Sequence, residues 1–573
     1  MKIALLSPPG LSPFSPPLGL MTLTSYLREE DIEVLPIDTS IEAIHYMLSP
    51  QKVKEKFLST KLVLKNKELN LNNNLRDYFD KLKDQAPVIE RIVQGIWNEE
   101  GFCFTEDSFI KEIKAVNKAL IFSSVNYLPT IYSLNRIFSS KDIIFNKSIN
   151  PYYEYFLNKL IPVLEEFQPN LIGISFSYSD QINFGMFLIS EIKRRFKNIP
   201  TVVGGSFFSI LCSDFYGDKL TSFNSIKQEE VLKLLQPFGI IGEGEEPLLK
   251  LCKYIDNKES LENMPGLVYY DKKNNYTKVN SISKPISQNF PPIVSMDGFS
   301  TSKYLTPYPV APMMSSRGCY WNKCTFCTHA EVVGSNWREL PVEKVLQNLK
   351  LFKENGIEMV VFCDESMSPS MLLSLSKKII DEDIKINFGT MIRFEESLLD
   401  VIEIAAMAGC KYLSFGLESG CSRIVSLMKK GYSHETAQCI IDKCDKNGIS
   451  VELHIMFGFP SETHQESQQT IKFLEKNIDA IFCFRANPWI LSVGSELHKN
   501  MNDYGIIPDE FGFIPSNPNT YSVKKGISYK ETLEIIYSLY HNKLIGQKLI
   551  YYGFDGFSEE YYAIIDLIKR EKL

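Results

Sequence analysis

The chain has 573 residues, which exceeds one typical domain and predicts about three units. Its 44% hydrophobic and 23% charged residues are typical of a soluble globular protein, without an apolar run long enough for a signal peptide or a membrane span. The net charge of −7 is spread along the chain and the 12 cysteines are too sparse for a disulfide scaffold, so we expect a cytoplasmic protein that binds neither nucleic acid nor membrane.

The first part of the chain alternates predicted strands and helices. Predicted strands lie at residues 2–6, 33–37, 171–175, 201–205 and 239–241. Predicted helices follow the first and third of these strands, at about 18–29 and 182–196. This alternation predicts a doubly wound, flavodoxin- or Rossmann-like parallel sheet over 1–257, with its ligand at the carboxyl ends of the strands.

A long segment, about 43–165, separates the second and third predicted strands. It is rich in Lys, Asn, Leu, Ile and Phe, and its apolar residues recur at helical spacing, as at Leu82, Val88 and Ile92. Because a bare loop of this length is uncommon, we predict an inserted helical subdomain. It either contributes to substrate binding or covers the sheet.

A linker over 258–309, with many Ser, Pro and Asn residues, leads to a second alternating region over 310–499. Its predicted strands lie at 310–314, 359–363, 384–391, 412–416, 451–457 and 480–485. The remaining segment, 500–573, is rich in aromatic residues and is predicted to be a small helical extension. It either caps the preceding region or acts as a lid that grips the substrate.

Three cysteines within nine residues directly follow the first strand of the second region: Cys319, Cys324 and Cys327. Three thiolates can hold an iron–sulfur cluster and leave one iron without a protein ligand, because an electron-carrying [4Fe–4S] centre takes four cysteines and none follows until Cys363. Zinc is the alternative, since structural zinc takes four nitrogen or sulfur ligands and His329 lies two residues after Cys327.

The run Ser315-Ser-Arg-Gly-Cys319, continued by Cys324-Thr-Phe-Cys327, resembles the radical S-adenosylmethionine (SAM) signature. The first gap holds four residues where three are usual, and an extra residue that bulges outward leaves the second gap intact. The resemblance implies a [4Fe–4S] cluster at the carboxyl end of a partial, TIM-type (β/α)6 barrel. In that family SAM chelates the open iron and is cleaved to a 5′-deoxyadenosyl radical.

The resemblance carries SAM contacts onto the loops after the strands. Asp364 and Glu365 take the place of the groups that bind the SAM ammonium, although Asp364 or Ser366 also suits the N-cap of a helix near Pro369. Arg393 either forks onto the SAM carboxylate or forms a surface salt bridge. The other expected SAM contacts are Phe326, Glu418, Ser419, His454 and Gly458. By itself, His454 would more often be a packed or solvated histidine.

The first sheet resembles the cobalamin-binding domain that precedes the barrel in one subgroup of these enzymes. The residues that carry the likeness, and the expected cobalamin contacts, are Pro17, Leu18, Gly19, Ser175, Gly204, Gly205, Gly242, Glu243 and Gly244. The Asp-x-His-x-x-Gly sequence that supplies a cobalt ligand in other cobalamin proteins is absent, and His45 is the sole histidine before His329. We therefore expect cobalamin without histidine ligation; the alternative is a vestigial domain that binds none.

The resemblance implies C-methylation of an unactivated carbon in a natural-product or peptide substrate. The deoxyadenosyl radical takes a hydrogen from the substrate, methylcobalamin delivers the methyl group, and a second SAM restores it. Two alternatives remain: the same cofactors serve a rearrangement or cyclisation without methyl transfer, or the protein is a non-catalytic sensor. An external flavodoxin- or ferredoxin-type electron donor is expected. No catalytic side chain is assigned.

Overall fold

The computed structural model describes residues 1–10, 13–65, 73–99, 101–105, 107–134, 137–138, 141–144, 146–213, 238–256, 260–271, 276–281, 294–328, 337–492, 494–508 and 521–542. Strands and helices alternate in two parallel-strand sheets, which confirms the predicted α/β class. His329 lies outside the described residues, as do 509–520 and 543–573 of the predicted C-terminal extension.

The first sheet has seven strands: β1 (Lys2–Ser7), β2 (Glu33–Asp38), β3 (Leu171–Ser175), β4 (Thr201–Gly204), β5 (Phe238–Ile240), β6 (Leu267–Asp271) and β7 (Tyr276–Val279). Their order is β7-β6-β5-β4-β3-β1-β2. The first five strands are parallel, whereas β6 and β7 run antiparallel at one edge. Both antiparallel strands lie inside the predicted linker, whose Ser, Pro and Asn content concealed two short, Tyr- and Val-containing runs.

Side chains of β1 alternate between two hydrophobic cores, as expected for a strand covered on both faces. Ile3 and Leu5 belong to a core that also includes the interior of the second sheet. Ala4 and Leu6 belong to another core, which includes the helices of the inserted segment. The first sheet is therefore packed between the insertion and the rest of the molecule.

The second sheet has six parallel strands in the order β8-β11-β12-β13-β14-β15. They are β8 (Val310–Met313), β11 (Met359–Met367), β12 (Asn387–Ile392), β13 (Cys410–Glu418), β14 (Ser450–Phe457) and β15 (Ile481–Pro488). Two short strands, β9 (Ser316–Arg317) and β10 (Arg338–Glu339), pair antiparallel just after β8. Six strands in chain order, with helices between most of them, form the partial barrel that the sequence predicted.

Helices precede, join and cover these strands. The longer ones are Leu18–Glu29, Thr39–Met47, Pro50–Leu64, Asn73–Gly95, Phe109–Ser124, Ile161–Phe167, Ile182–Arg195, Ser206–Ser213, Glu245–Ile255, Val342–Glu354, Pro369–Asp381, Ile402–Met407, Ser422–Leu427, His434–Lys446, His464–Lys476 and Tyr529–His541. Short hairpins pair Trp97–Asn98 with Gly101–Phe102, Ile131–Tyr132 with Ile137–Phe138, and Ile506–Pro508 with Tyr521–Val523. In the described part of the chain, every helix is too short or too polar to cross a bilayer.

The helix Pro369–Asp381 corrects one detail of the sequence analysis. Its N-cap is Ser368, whose hydroxyl accepts a hydrogen bond from the Met371 N–H at 3.0 Å. Asp364 and Ser366, the predicted caps, lie within strand β11, which continues to Met367. A proline at the first helical position places the cap directly before it, which is a common arrangement.

Candidate cofactor site

The cysteine loop lies at the carboxyl end of β8. The two-residue ladder of β9 and β10 closes the base of this loop, with Arg317 directly opposite Arg338. Gly318, between Arg317 and the first cysteine, has φ 79°, a conformation that glycine adopts without strain. The cysteines are therefore carried on a loop whose two ends are fastened together beside the barrel.

The gap between Cys319 and Cys324 contains one residue in the left-handed region. Asn322 has φ 44°, and asparagine is among the few residues that tolerate this left-handed conformation. Before it, the Trp321 indole N–H donates to the Lys429 carbonyl at 2.8 Å. The Arg393 guanidinium lies over the Trp321 ring, 4.1 Å from its centroid. The longer gap is thus anchored to the barrel by its tryptophan.

None of the three cysteines forms a disulfide bond, and all three are partly exposed. Burial raises the pKa of Cys324, while the nearby Lys430 and Arg393 cations act against this rise. Within the described residues, no three His, Cys, Asp or Glu side chains meet closely enough to hold one metal ion.

The loop between Cys324 and Cys327 is held from two sides. The Cys327 N–H donates to the Cys324 carbonyl at 3.2 Å, which makes a tight turn. The Thr325 N–H donates to the Met428 carbonyl at 3.1 Å, and the Thr325 carbonyl accepts from the Leu497 N–H at 3.0 Å. Phe326, one of the predicted SAM contacts, is partly exposed and packs against a small core that includes Met428.

Asp364 fastens the start of the cysteine loop. Its buried carboxylate accepts hydrogen bonds from the Ser315 N–H at 2.9 Å, the Ser315 hydroxyl at 2.7 Å and the Ser316 hydroxyl at 2.6 Å. Burial raises the pKa of Asp364, and these hydrogen bonds oppose the rise. Glu365, the next residue, is less buried. Of the two predicted ammonium contacts, Asp364 is thus committed to the protein and Glu365 is the more accessible.

Two further predicted SAM contacts, Arg393 and Glu418, lie close to one another around Lys430. Arg393 is buried and donates to the Lys430 carbonyl, and its Nε lies 3.3 Å from Glu395. The Lys430 ammonium donates to Glu418 at 3.0 Å. Glu418 has φ 59° at the end of β13, so its backbone is held in a conformation that L-residues rarely adopt. Strained backbone of this kind clusters at functional sites.

Ser419 and Gly458 are engaged with the protein. The fully buried Ser419 hydroxyl lies 3.2 Å from the Thr470 hydroxyl and accepts from the Cys421 N–H at 3.1 Å. A Cβ at Gly458 would lie 2.4 Å from the Thr532 hydroxyl, which belongs to the helix Tyr529–His541. The end of strand β14 is therefore covered by the last described helix.

His454 belongs to a polar network that the sequence analysis missed. Its Nε2 lies 2.9 Å from the Ser414 hydroxyl, and burial lowers the pKa of His454 so that the ring is neutral near pH 7. The strand register places Ser414 beside Glu452, and the Arg485 Nε donates to Glu452 at 2.6 Å. Ser414, Glu452 and Arg485 stand in no motif, so only the parallel register brings them together.

The first sheet approaches this network through Tyr178, which follows β3. Burial, together with the charges of Cys363 and Glu365, raises the pKa of Tyr178. Arg485 lies close enough to act in the opposite direction. Tyr178 therefore lies within electrostatic range of side chains of the second sheet.

The nine predicted cobalamin contacts share one property: each is at least partly exposed near the carboxyl end of β1, β3, β4 or β5. Gly19 is the most open, because a Cβ there would meet no atom within 4 Å. In contrast, a Cβ at Gly205 would lie 2.3 Å from the Phe176 carbonyl oxygen, so this glycine is required by the fold itself. The remaining members are Pro17, Leu18, Ser175, Gly204, Gly242, Glu243 and Gly244.

Glu243 takes part in a group of ion pairs at the carboxyl edge of the first sheet. Its carboxylate forms ion pairs with Arg317 and Arg338 at the base of the cysteine loop, and the nearly buried Glu245 pairs with Arg317. Burial acts to raise the pKa of Glu245, but the Arg317 guanidinium holds it below its usual range. His45 is also engaged, because its Nε2 lies 2.6 Å from the Lys303 carbonyl oxygen.

Comparison with known proteins agrees with this geometry. Residues 313–474 match the Radical SAM superfamily, so the chain contains a radical SAM domain, whose cofactors are a [4Fe–4S] cluster and SAM. An uncharacterized methyltransferase of Pyrococcus horikoshii is 26% identical over 354 residues, which are 59% of this chain and 73% of that protein. The cytidylyl-2-hydroxyethylphosphonate methyltransferase of Streptomyces wedmorensis is 23% identical over 398 residues, 61% of this chain and 70% of that one.

Solved structures share the two-sheet architecture. The radical SAM methyltransferase TsrM from Kitasatospora setae, with cobalamin and a [4Fe–4S] cluster bound, has a TM-score of 0.59 at 12% identity and covers 99% of both chains. The cobalamin-dependent radical SAM enzyme OxsB has a TM-score of 0.54 at 16% identity; the match covers 88% of this chain and 56% of that one. The predicted resemblance to radical SAM enzymes with a cobalamin-binding domain is confirmed at the level of the fold.

Proposed function

We propose that this protein is a cobalamin-dependent radical SAM methyltransferase that acts on an unactivated carbon of a natural-product or peptide substrate. The observation that carries the proposal is the position of the cysteine loop. It lies at the carboxyl end of a six-stranded parallel barrel, and its base contacts the carboxyl edge of a second, doubly wound sheet. Relatives and structural neighbours named as methyltransferases support the same reading.

Cys319, Cys324 and Cys327 would hold the [4Fe–4S] cluster, which supplies the electron that cleaves SAM to the deoxyadenosyl radical. Their partial exposure and the cations near Cys324 suit a thiolate-bound, negatively charged group. The buried Asp364 holds the loop that precedes them, and Trp321 holds the gap between them. In this proposal both side chains position the cluster relative to the barrel.

SAM would lie above strands β11 to β14, against Phe326, Glu365 and Glu418. Glu365 is an accessible carboxylate for the SAM ammonium, and Arg393 carries the cation suited to its carboxylate. Arg393 is tied to Lys430 and Glu395, so we expect it to stabilise the SAM carboxylate by its charge at short range. The other predicted contacts would support the residues that touch SAM; they are Asp364, Ser419, His454 and Gly458.

The exposed backbone around Gly19, Gly204 and Gly242 would accept the corrin ring and its tail, because glycines at strand ends leave room for a large flat ligand. Bound cobalamin would supply the methyl group. His45, the one histidine of this unit, makes its contact with Lys303, so we propose that the cobalt has no histidine ligand.

The substrate would lie between the two sheets, where Tyr178 is within electrostatic range of Glu365 and Arg485. Neutral His454, Glu452 and Arg485 offer hydrogen-bond donors and acceptors to a polar substrate. In a closed cavity these groups would orient the substrate and exclude water from the radical. We also propose that the protein works in the cytoplasm with a flavodoxin- or ferredoxin-type electron donor.

An anaerobic assay tests the proposal. Protein reconstituted with iron, sulfide and hydroxocobalamin is incubated with SAM and a chemical reductant, and 5′-deoxyadenosine and S-adenosylhomocysteine are quantified. The methyltransferase should form both products. Deoxyadenosine alone would favour the rearrangement or cyclisation enzyme, and the absence of both would favour the sensor. Extracts of cells grown with cobalamin then serve to search for a product that has gained a methyl group.

A further inference from the structure

Four charged side chains join the two sheets beside the cysteine loop. Arg317 and Arg338 are opposite neighbours on the β9–β10 ladder, and Glu243 and Glu245 lie on the loop and helix after β5. We call these four residues the charge clamp. Two like charges directly opposite each other on paired strands repel, so the ladder requires the two carboxylates that face it.

The contacts within the charge clamp are close and shielded from solvent. The Arg338 Nη1 donates to Glu243 at 3.2 Å, and the Arg338 Nη2 donates to the same carboxylate. The Glu243 carboxylate also lies 3.3 Å from the Arg317 guanidinium. Glu245 accepts from the Arg317 Nη2. The four side chains are only 5–17% exposed. A buried ion pair that loses one partner leaves an uncompensated charge, so each member depends on the others.

The location of the charge clamp links it to the chemistry. Arg317 is two residues before Cys319, and Arg338 lies on the strand that ends the cysteine loop. On the other side, Glu243 follows Gly242 at the edge that we assign to cobalamin. The same carboxylates therefore join the cysteine loop to the first sheet and neutralise two cations at the base of that loop.

We propose that Glu243 and Glu245 are positioning residues for the radical reaction, a role that rests on the proposed function. They fix the distance between the cluster loop and the cobalamin edge, and they set the electrostatic field at the cluster. Glu243 is thus assigned to the arginines rather than to direct cobalamin contact. Because the reduction potential of an iron–sulfur cluster depends on nearby charge, removal of the carboxylates should make the potential more positive.

The test compares the double variant Glu243→Gln/Glu245→Gln with Glu246→Gln in the full-length reconstituted protein. Glu246 is the matched control, because it stands next to Glu245 but pairs with Lys250 at 2.7 Å on the surface. The midpoint potential of the cluster is measured by redox titration followed by electron paramagnetic resonance. Amide hydrogen exchange is measured for peptides that cover 315–328. We expect a more positive potential and about tenfold faster exchange in the double variant only.

Charge reversal keeps the proposal falsifiable if the double variant folds poorly. Glu243→Arg/Glu245→Arg should lose iron and unfold at lower temperature, and adding Arg317→Glu/Arg338→Glu should restore both iron content and exchange protection. Unchanged potential and exchange in the glutamine variant, or absent rescue in the fourfold variant, would overturn the proposal. If the parent protein assembled no cluster, the proposed function would be overturned instead, while the exchange experiment would still decide whether the four side chains pin the loop.

Discussion

Cys324 offers the most direct test at the scale of one residue. Cys324→Ala removes one of three thiolates, and a cluster held by only two is expected to be lost, so iron content and deoxyadenosine formation should both fall to background. The control is Cys439→Ala, which deletes an exposed thiol from the helix His434–Lys446. Iron and sulfide analysis, together with product analysis, measures the effect. Full retention of the cluster in Cys324→Ala would refute the assignment.

Glu462 gives a prediction about pH. Burial raises the pKa of Glu462 to about 7, although its carboxylate accepts a hydrogen bond from the Gly458 N–H at 2.6 Å. An ordinary glutamate has a pKa of about 4.3, so the unfolded chain releases this proton at lower pH than the folded one. The contribution of Glu462 to stability therefore falls as pH rises from about 4.3 to about 7, by on the order of 3 kcal/mol, and is constant above that range.

Glu462→Gln should remove this pH dependence, because the amide oxygen can still accept from Gly458 and no proton is released. We expect the melting temperature of the variant to fall less than that of the parent between pH 5 and pH 8, as measured by thermal unfolding. Glu435→Gln, at an exposed position on the helix His434–Lys446, is the control. Identical pH profiles for parent and Glu462→Gln would contradict the raised pKa.

At the scale of one element, the cysteine loop depends on its tryptophan. Trp321→Ala deletes the hydrogen bond to Lys429 and the contact with Arg393, a loss of about 1–3 kcal/mol in loop stability. We expect the cluster to assemble but to be lost faster to an iron chelator. Trp321→Phe retains the ring over Arg393 and should lie between the parent and Trp321→Ala.

Gly431→Ala provides an independent test of the same contact. Gly431 has φ 74°, and an added Cβ would lie 2.2 Å from the Trp321 ring. The new methyl group must displace the tryptophan, so the variant should reproduce the faster loss of iron seen in Trp321→Ala. Gly448→Ala is matched to it, because Gly448 has φ 69° but open space around its Cβ position. If the parent and all of these variants lost iron to the chelator at the same rate, Trp321 would have no role in retaining the cluster.

The elements show what the sequence could and could not predict. Strands β3 and β14 were predicted to within one residue, because each has a clear apolar pattern. Strand β3 is a buried apolar run, whereas β14 has apolar residues at alternate positions, Val451, Leu453, Ile455 and Phe457. The two-residue strands β9 and β10 have no periodicity to detect. The ion pair that they carry depends on the fold, because Arg317 and Glu245 are 72 positions apart in sequence.

The predicted site residues divide in the same way. Motif spacing located the cysteines, Glu418 and Arg393 in one region, since each ends or follows a strand of the same sheet. It could not tell which of them have accessible side chains. Asp364 and Ser419 form hydrogen bonds to the protein instead of offering these groups to SAM. Which partner a polar group takes depends on rotamers and neighbours that no linear pattern encodes.

At the scale of the whole molecule, the two sheets act as one unit. A single hydrophobic core includes Leu5 of the first sheet and Phe362 of the second, and the charge clamp crosses the same boundary near the cysteine loop. Because packing and ion pairs both hold this boundary, we expect the two carboxyl edges to keep a fixed separation. Reactions that need two cofactors at one substrate require such a fixed arrangement.

Gly19 allows the cobalamin edge of this whole assembly to be tested without disturbing the fold. It lies in the first turn of the helix Leu18–Glu29, is exposed, and has no atom within 4 Å of an added Cβ. Gly19→Trp should therefore fold normally but fill the space over the edge of the sheet. We expect cobalamin bound per protein, measured by absorbance after desalting, to fall by at least about tenfold, equivalent to about 1.4 kcal/mol of binding energy.

The matched control is Gly95→Trp, at the end of a helix in the inserted segment, where an added Cβ also meets no atom within 4 Å. Without ligand, both variants should have the melting temperature of the parent. When hydroxocobalamin is added, only the parent and Gly95→Trp should gain stability, because a ligand stabilises the state that binds it. If Gly19→Trp bound as much cobalamin as the parent, the helix Leu18–Glu29 would not be part of the binding site. Loss in both variants would instead implicate the inserted segment, since Gly95 is remote in sequence from every strand of the first sheet.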